Sequence, residues 1–128
     1  MTPENKTQAA ILEWLSLQYP EVRKHVIKID NEGSHTPAGN MIRRRCGLHR
    51  GASDLFIAWP TLSHYGLWLE IKPDGWTKPR NKKEAERVLL QKEFLYKMME
   101  KGYDAAFVCG FDEGINAIKT YLNANQTD

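Results

Sequence analysis

The sequence is poor in the residues that build covalently stapled or thiolate-metal scaffolds. It has two cysteines, Cys46 and Cys109, far apart and outside any C-x-x-C pattern. That excludes a disulfide framework and argues against a structural zinc or iron–sulfur site. The four histidines, His25, His35, His49 and His64, are scattered, and none is assigned a role. No apolar run approaches the roughly 20 residues of a membrane-spanning helix. The opening Met1-Thr2-Pro3-Glu4-Asn5 has neither a basic stretch nor an apolar one, so no secretory leader is expected and both thiols suit a reducing cytoplasm. Repeats and low-complexity tracts are also missing. Net charge is only +2, so bulk electrostatics names no partner.

What is present fits one globular domain over residues 1–123 with a polar tail over 124–128: 128 residues, 41% hydrophobic and 27% charged. Positive charge is concentrated locally. Residues 40–50 carry Arg43, Arg44, Arg45 and Arg50 without an acid, and residues 76–83 carry Lys78, Arg80, Lys82 and Lys83 without an acid. Islands of this kind can neutralise phosphates, and they can equally be solvated loops.

Thr2-Pro3 reads as an N-cap followed by proline at the first helical position. Ile11, Leu12, Leu15 and Tyr19 follow at helical spacing up to Pro20, predicting a helix over 3–19. Residues 25–30 alternate as a strand does, 31–39 have turn chemistry, and 40–47 suit a short basic helix closed by Gly47. Residues 54–59 and 66–72 are strands stopped by Pro60 and Pro73, with a hairpin-length gap between them. A charged loop spans 74–82, expected to be mobile. A long helix follows over 83–101, with apolar Val88, Leu89, Leu90, Phe94, Leu95, Met98 and Met99, and Gly102 closes it. Residues 104–109 form the last strand, and Asp112 is expected to cap a helix burying Ile115, Ile118 and Leu122. The order α-β-β-β-α-β-α is an α/β fold: a mixed four-stranded sheet flanked by helices, with a right-handed crossover between the last two strands.

Strand alternation places Leu67, Leu69 and Ile71 on one face of the third strand and Trp68, Glu70 and Lys72 on the other. Glu70 and Lys72 then sit side by side at the end of an otherwise apolar strand, where charges persist only if paired or metal-bound. Asp54 opens the preceding strand, and a hairpin could bring it to Glu70. Two carboxylates from neighbouring strands suit a hard cation such as Mg²⁺ or Mn²⁺. An adjacent lysine can orient water and stabilise charge on a phosphate. The bland alternative is a cross-strand ion pair. Gln91 lies on the apolar stripe of the long helix, and Glu4 and Gln8 share the inward face of the first. These three could support the site. The alternatives are satisfied buried amides for Gln91 and Gln8, and a first-turn acid facing the helix dipole for Glu4. Trp59 and Trp68 read as packing residues, and Trp76 could stack on bases.

The ordered set Glu4-x-x-x-Gln8, Ile29-Asp30-Asn31-Glu32-Gly33, Gly51-Ala52-Ser53-Asp54-Leu55, Gly66-Leu67-Trp68-Leu69-Glu70-Ile71-Lys72, Gln91 and Gly102-Tyr103 resembles the VRR-NUC domain of the PD-(D/E)xK nuclease superfamily. One departure is Ser53, where many superfamily members carry proline. The resemblance implies a restriction-endonuclease-like core, with Asp54, Glu70 and the Ile71 carbonyl as metal ligands and Glu4 as a further acid at the metal. It implies that Lys72 is the catalytic lysine and that Gln91 supports the site. It also implies a Mg²⁺- or Mn²⁺-dependent DNA endonuclease hydrolysing phosphodiester bonds. Small free-standing members resemble bacterial and phage proteins acting as homodimers on branched or four-way junction DNA in the bacterial or infected-host cytoplasm. Arg43, Arg44, Arg45, Arg50, Lys78, Arg80 and Lys82 are the candidate DNA contacts. The alternatives are an exonuclease or restriction-like enzyme on the same core and a non-catalytic DNA-binding protein.

Overall fold

The computed structural model describes residues 1–29, 36–47 and 51–123, apart from the side chains of Asn40 and Arg43. Nine elements follow in chain order among these residues. They are α1 (Pro3–Gln18), α2 (Pro20–Arg23), β1 (Val26–Lys28), α3 (Pro37–Arg45), β2 (Leu55–Ile57), β3 (Leu67–Lys72), α4 (Lys82–Glu100), β4 (Asp104–Cys109) and α5 (Gly110–Asn123). The four strands form one mixed sheet in the order β1-β2-β3-β4. The first two pairings are antiparallel and the β3–β4 pairing is parallel. The parallel pair needs a crossover, and α4 supplies it. No described helix is long and apolar enough to cross a membrane.

Local chemistry sets most boundaries. The Thr2 hydroxyl accepts the Asn5 N–H at 3.1 Å and starts α1. The same pairing of a capping threonine with proline recurs at Thr36-Pro37, where Thr36 Oγ1 accepts the Gly39 N–H at 3.0 Å. The basic helix therefore begins at Pro37, inside the stretch expected to be a turn, and it ends at Arg45, before Gly47. Pro20 does not simply end α1, because it opens the short α2 as that helix's first residue. The last helix starts at Gly110 rather than after an Asp112 cap. Glu113 Oε1 accepts the Cys109 N–H at 3.0 Å, and this bond from inside the first turn holds the start.

The sheet has two unlike faces. On one, Leu55, Ile57, Leu67, Leu69 and Ile71 meet Ile11 and Leu15 of α1 and Ile118, Tyr121 and Leu122 of α5 in a single apolar cluster. The other face is covered in part by α4, whose buried residues are Val88, Gln91 and Leu95. These follow helical spacing, so only one narrow stripe of α4 faces inward. Leu89, Leu90 and Met99, expected in the apolar set of this helix, lie outside that stripe and are exposed.

Candidate metal centre

The register of β2 against β3 builds the site. Leu55 pairs with Leu69 and Phe56 with Trp68. One step beyond the ladder puts Asp54 opposite Glu70 and on the same face, since partners in a pair share a face. Asp54 is tied down there: its Oδ2 accepts the Ile71 N–H at 2.8 Å. The cross-strand pair behind it is aromatic, with the Phe56 and Trp68 rings stacked at 4.3 Å. Glu4, in the first turn of α1, completes the group. Carboxylate oxygens of Glu4, Asp54 and Glu70 all lie within 4.8 Å of one another.

Glu70 is 1% exposed, and its Oε1 is buried with no hydrogen-bond partner among the described residues. A charge cannot be left so without cost. Burial, and then the Asp54 carboxylate beside it, push the Glu70 carboxyl up to about 9. Burial also raises Glu4, against the pull of Lys72. Lys72 is the counter-charge, 5% exposed, with Nζ 3.6 Å from Glu70 Oε2 and 4.0 Å from Glu4 Oε1. One ammonium cannot balance three crowded carboxylates. A hard dication at this position would remove the repulsion and occupy the unpartnered oxygen, so these residues fit Mg²⁺ or Mn²⁺ by donor type and charge.

Gln91 is buried on α4, and its Oε1 also lacks a partner among the described residues. It is not a satisfied core amide. Gln8 is half-buried on α1. Ile71 contributes its N–H to Asp54, while its side chain lies in the apolar core.

The basic candidates divide. Arg44 and Arg45 are exposed on α3, and Lys78 and Lys82 are exposed after β3. Arg80 is engaged locally, with Nε 3.2 Å from Glu84 Oε2. Arg50 and the 30–33 part of the family-like stretch lie outside the described residues, and the Arg43 side chain is not described. The charged loop over 74–82 makes contacts to the start of α4: Glu84 accepts from Trp76 Nε1 at 3.4 Å and from the Arg80 N–H at 2.7 Å. The role of Glu84 was readable, since Asn81-x-x-Glu84 has the spacing of a capping box. Asn81 Oδ1 does accept the Glu84 N–H at 2.9 Å. The glutamate does not turn back to Asn81 in the usual way; it takes Arg80 and Trp76. That destination depends on the fold.

No protein-family model matches the chain, and no curated protein does. Among solved structures, a chain described as a VRR_NUC domain protein superposes with a TM-score of 0.73 and 24% sequence identity. The alignment covers 96% of this chain and 90% of that one. This chain therefore has the fold of a VRR_NUC domain protein.

Proposed function

We propose that this chain is a metal-dependent DNA nuclease of the VRR-NUC type that hydrolyses phosphodiester bonds. The observation that carries the reading is the convergence of Glu4, Asp54 and Glu70 on one point, with a single buried ammonium, Lys72, beside them. The shared fold with a VRR_NUC domain protein supports it. Asp54, Glu70 and Glu4 would hold Mg²⁺ or Mn²⁺, with the Ile71 carbonyl as a further ligand. When bound, such a cation supplies phosphoryl polarisation and a more acidic water. The chain's own groups do the rest. Lys72 donates to a phosphate oxygen and stabilises the charge gathering there. Gln91 offers an unpartnered amide oxygen that can orient water. The exposed Arg44, Arg45, Lys78 and Lys82 track the DNA backbone. A two-fold homodimer presenting two such sites to a four-way junction completes the proposal.

The test is cleavage of labelled linear duplex, flap and four-way junction DNA with Mg²⁺, Mn²⁺ or EDTA. Cleavage is expected with either cation and not with EDTA. Lys72→Ala should lower the rate on the order of a hundredfold or more while leaving DNA binding in Ca²⁺ largely intact. Wild-type rates from Lys72→Ala would remove Lys72 from the chemistry. Failure to bind Mn²⁺ by calorimetry would turn the reading toward a DNA-binding protein without catalysis.

A further inference from the structure

Lys72 is held in an unusual way. Its two carboxylate neighbours lie at 3.6 and 4.0 Å, beyond the length of a good hydrogen bond. On another side are two rings: its Nζ is 5.8 Å from the centre of Trp76 and 5.7 Å from that of Phe107. Both distances are within the range in which a ring face attracts a cation. The ammonium is thus held by charge and by π faces, and its N–H donors are left for an incoming acceptor. Phe107 is positioned by the sheet, since it pairs with Glu70 across the parallel β3–β4 ladder. It also draws a second cation, Lys92 Nζ, 5.1 Å from its centre.

Trp76 is not on a strand and has to be brought there. Residues 73–76 form a turn with the Trp76 N–H donating to the Pro73 carbonyl at 3.1 Å. Gly75 sits at φ +82, a conformation that favours glycine at this place in a turn. The indole then tilts onto Phe107 with ring centres 5.5 Å apart. Its Nε1–H reaches Glu84, which also takes the Arg80 backbone N–H and guanidinium. Of these contacts the Arg80 backbone bond does most to hold the Glu84 carboxyl below its usual range. Glu84 is fixed in the first turn of α4.

We propose that Trp76 and Phe107 are positioning residues that aim the Lys72 ammonium at the substrate phosphate, and that Glu84 holds this aromatic seat closed. The inference rests on the nuclease reading of Lys72, but the position of Lys72 can be read without catalysis. In the ¹³C-labelled full chain, the Lys72 Cε methylene protons are assigned by their loss in Lys72→Arg. The two rings should shift them upfield of the lysines that face no ring, whereas Lys92 and Lys119 each lie over a single ring. Two substitutions then separate π character from bulk. Trp76→Phe keeps a ring but gives up the Nε1–H bond to Glu84, so it should retain part of the shift and of kcat, and more of both than a variant without a ring. Trp76→Leu fills space without a ring. It should move the Lys72 signal toward the others and lower kcat on the order of tenfold with KM for DNA unchanged, as the loss of a partly buried cation–π contact implies. Equal Lys72 shifts and equal kcat in the Phe and Leu variants would overturn the proposal, as would a wild-type Lys72 signal indistinguishable from surface lysines. A shifted, Trp76-dependent signal in a protein that cuts no DNA would leave the seat standing and sink the nuclease reading instead.

Discussion

The six residues of β3 carry two surfaces that obey opposite rules. Leu67, Leu69 and Ile71 face α1 and α5 and are buried in one apolar cluster. Trp68, Glu70 and Lys72 face the other way, and there the interior holds a carboxylate, an ammonium and an amide from Gln91. The first face is built as a stable core is built, with apolar side chains filling space and the Tyr121 hydroxyl satisfied by donating to the Trp59 carbonyl at 2.7 Å. The second departs from those rules at several atoms: Trp68 Nε1, Glu70 Oε1 and Gln91 Oε1 are all buried without partners among the described residues. A strand that satisfies the packing rules on one side and leaves several polar atoms unpartnered on the other has the pattern expected of a site built at the expense of stability.

The comparison breaks most readily on the apolar side. Leu69 is fully buried, and Leu69→Ala should cost about 2–5 kcal/mol in urea unfolding, from lost transfer energy and the cavity left behind. A loss below ~1 kcal/mol would mean that this face does not carry the fold.

The polar side should respond in the opposite direction and with pH. The folded-state carboxyl of Glu70 is raised from 4.5 to about 9. A raised carboxyl contributes stability that is fully present below the unfolded value and is lost as pH rises through the folded one. Without divalent cation, the wild type should therefore lose stability relative to Glu70→Gln between about pH 4.5 and 9, by up to about 1.4 kcal/mol per pH unit. Melting temperatures of the two proteins measured in parallel across that range check this. Adding Mn²⁺ should restore the wild type alone, increasingly at higher pH, because the proton must leave before the metal is bound. A gap that stays flat with pH would mean that Glu70 is already ionised in the metal-free protein.

The smallest expected effect sharpens the comparison most. Gln91→Leu makes α4 meet the polar face with an apolar side chain. It should raise stability by roughly 1 kcal/mol by removing an unpartnered buried oxygen, while lowering the cleavage rate. Denaturant midpoints and single-turnover cleavage on one preparation test both halves. A destabilised variant would show that Gln91 is a structural amide.

Much of this was legible in the residues. The seven elements of the α-β-β-β-α-β-α order, the mixed sheet and the α4 crossover follow from periodicity, proline stops and caps, because those signals are local. The strand-period argument also put Glu70 and Lys72 on one face without any structure. Other features were not legible. Leu89, Leu90 and Met99 are as apolar as Leu95, and nothing in their identity says that only one stripe of α4 would meet the sheet. Asp112 is as good a capping residue as Thr2, but Gly110 could begin the helix earlier once Glu113 reached back to Cys109.

By itself, then, the sequence determined the order of elements and the cluster of charge at the end of β3, since backbone period, capping and proline geometry act within a few residues. Only the tertiary structure decided what that charge would meet. The β2–β3 register placed Asp54 opposite Glu70, the entry of α1 brought in Glu4, and the β3–β4 ladder together with the Glu84-held loop set Phe107 and Trp76 around Lys72. Those distances link residues up to 68 positions apart, Glu4 and Lys72 being the extreme, and only packing of the whole chain can determine separations of that kind.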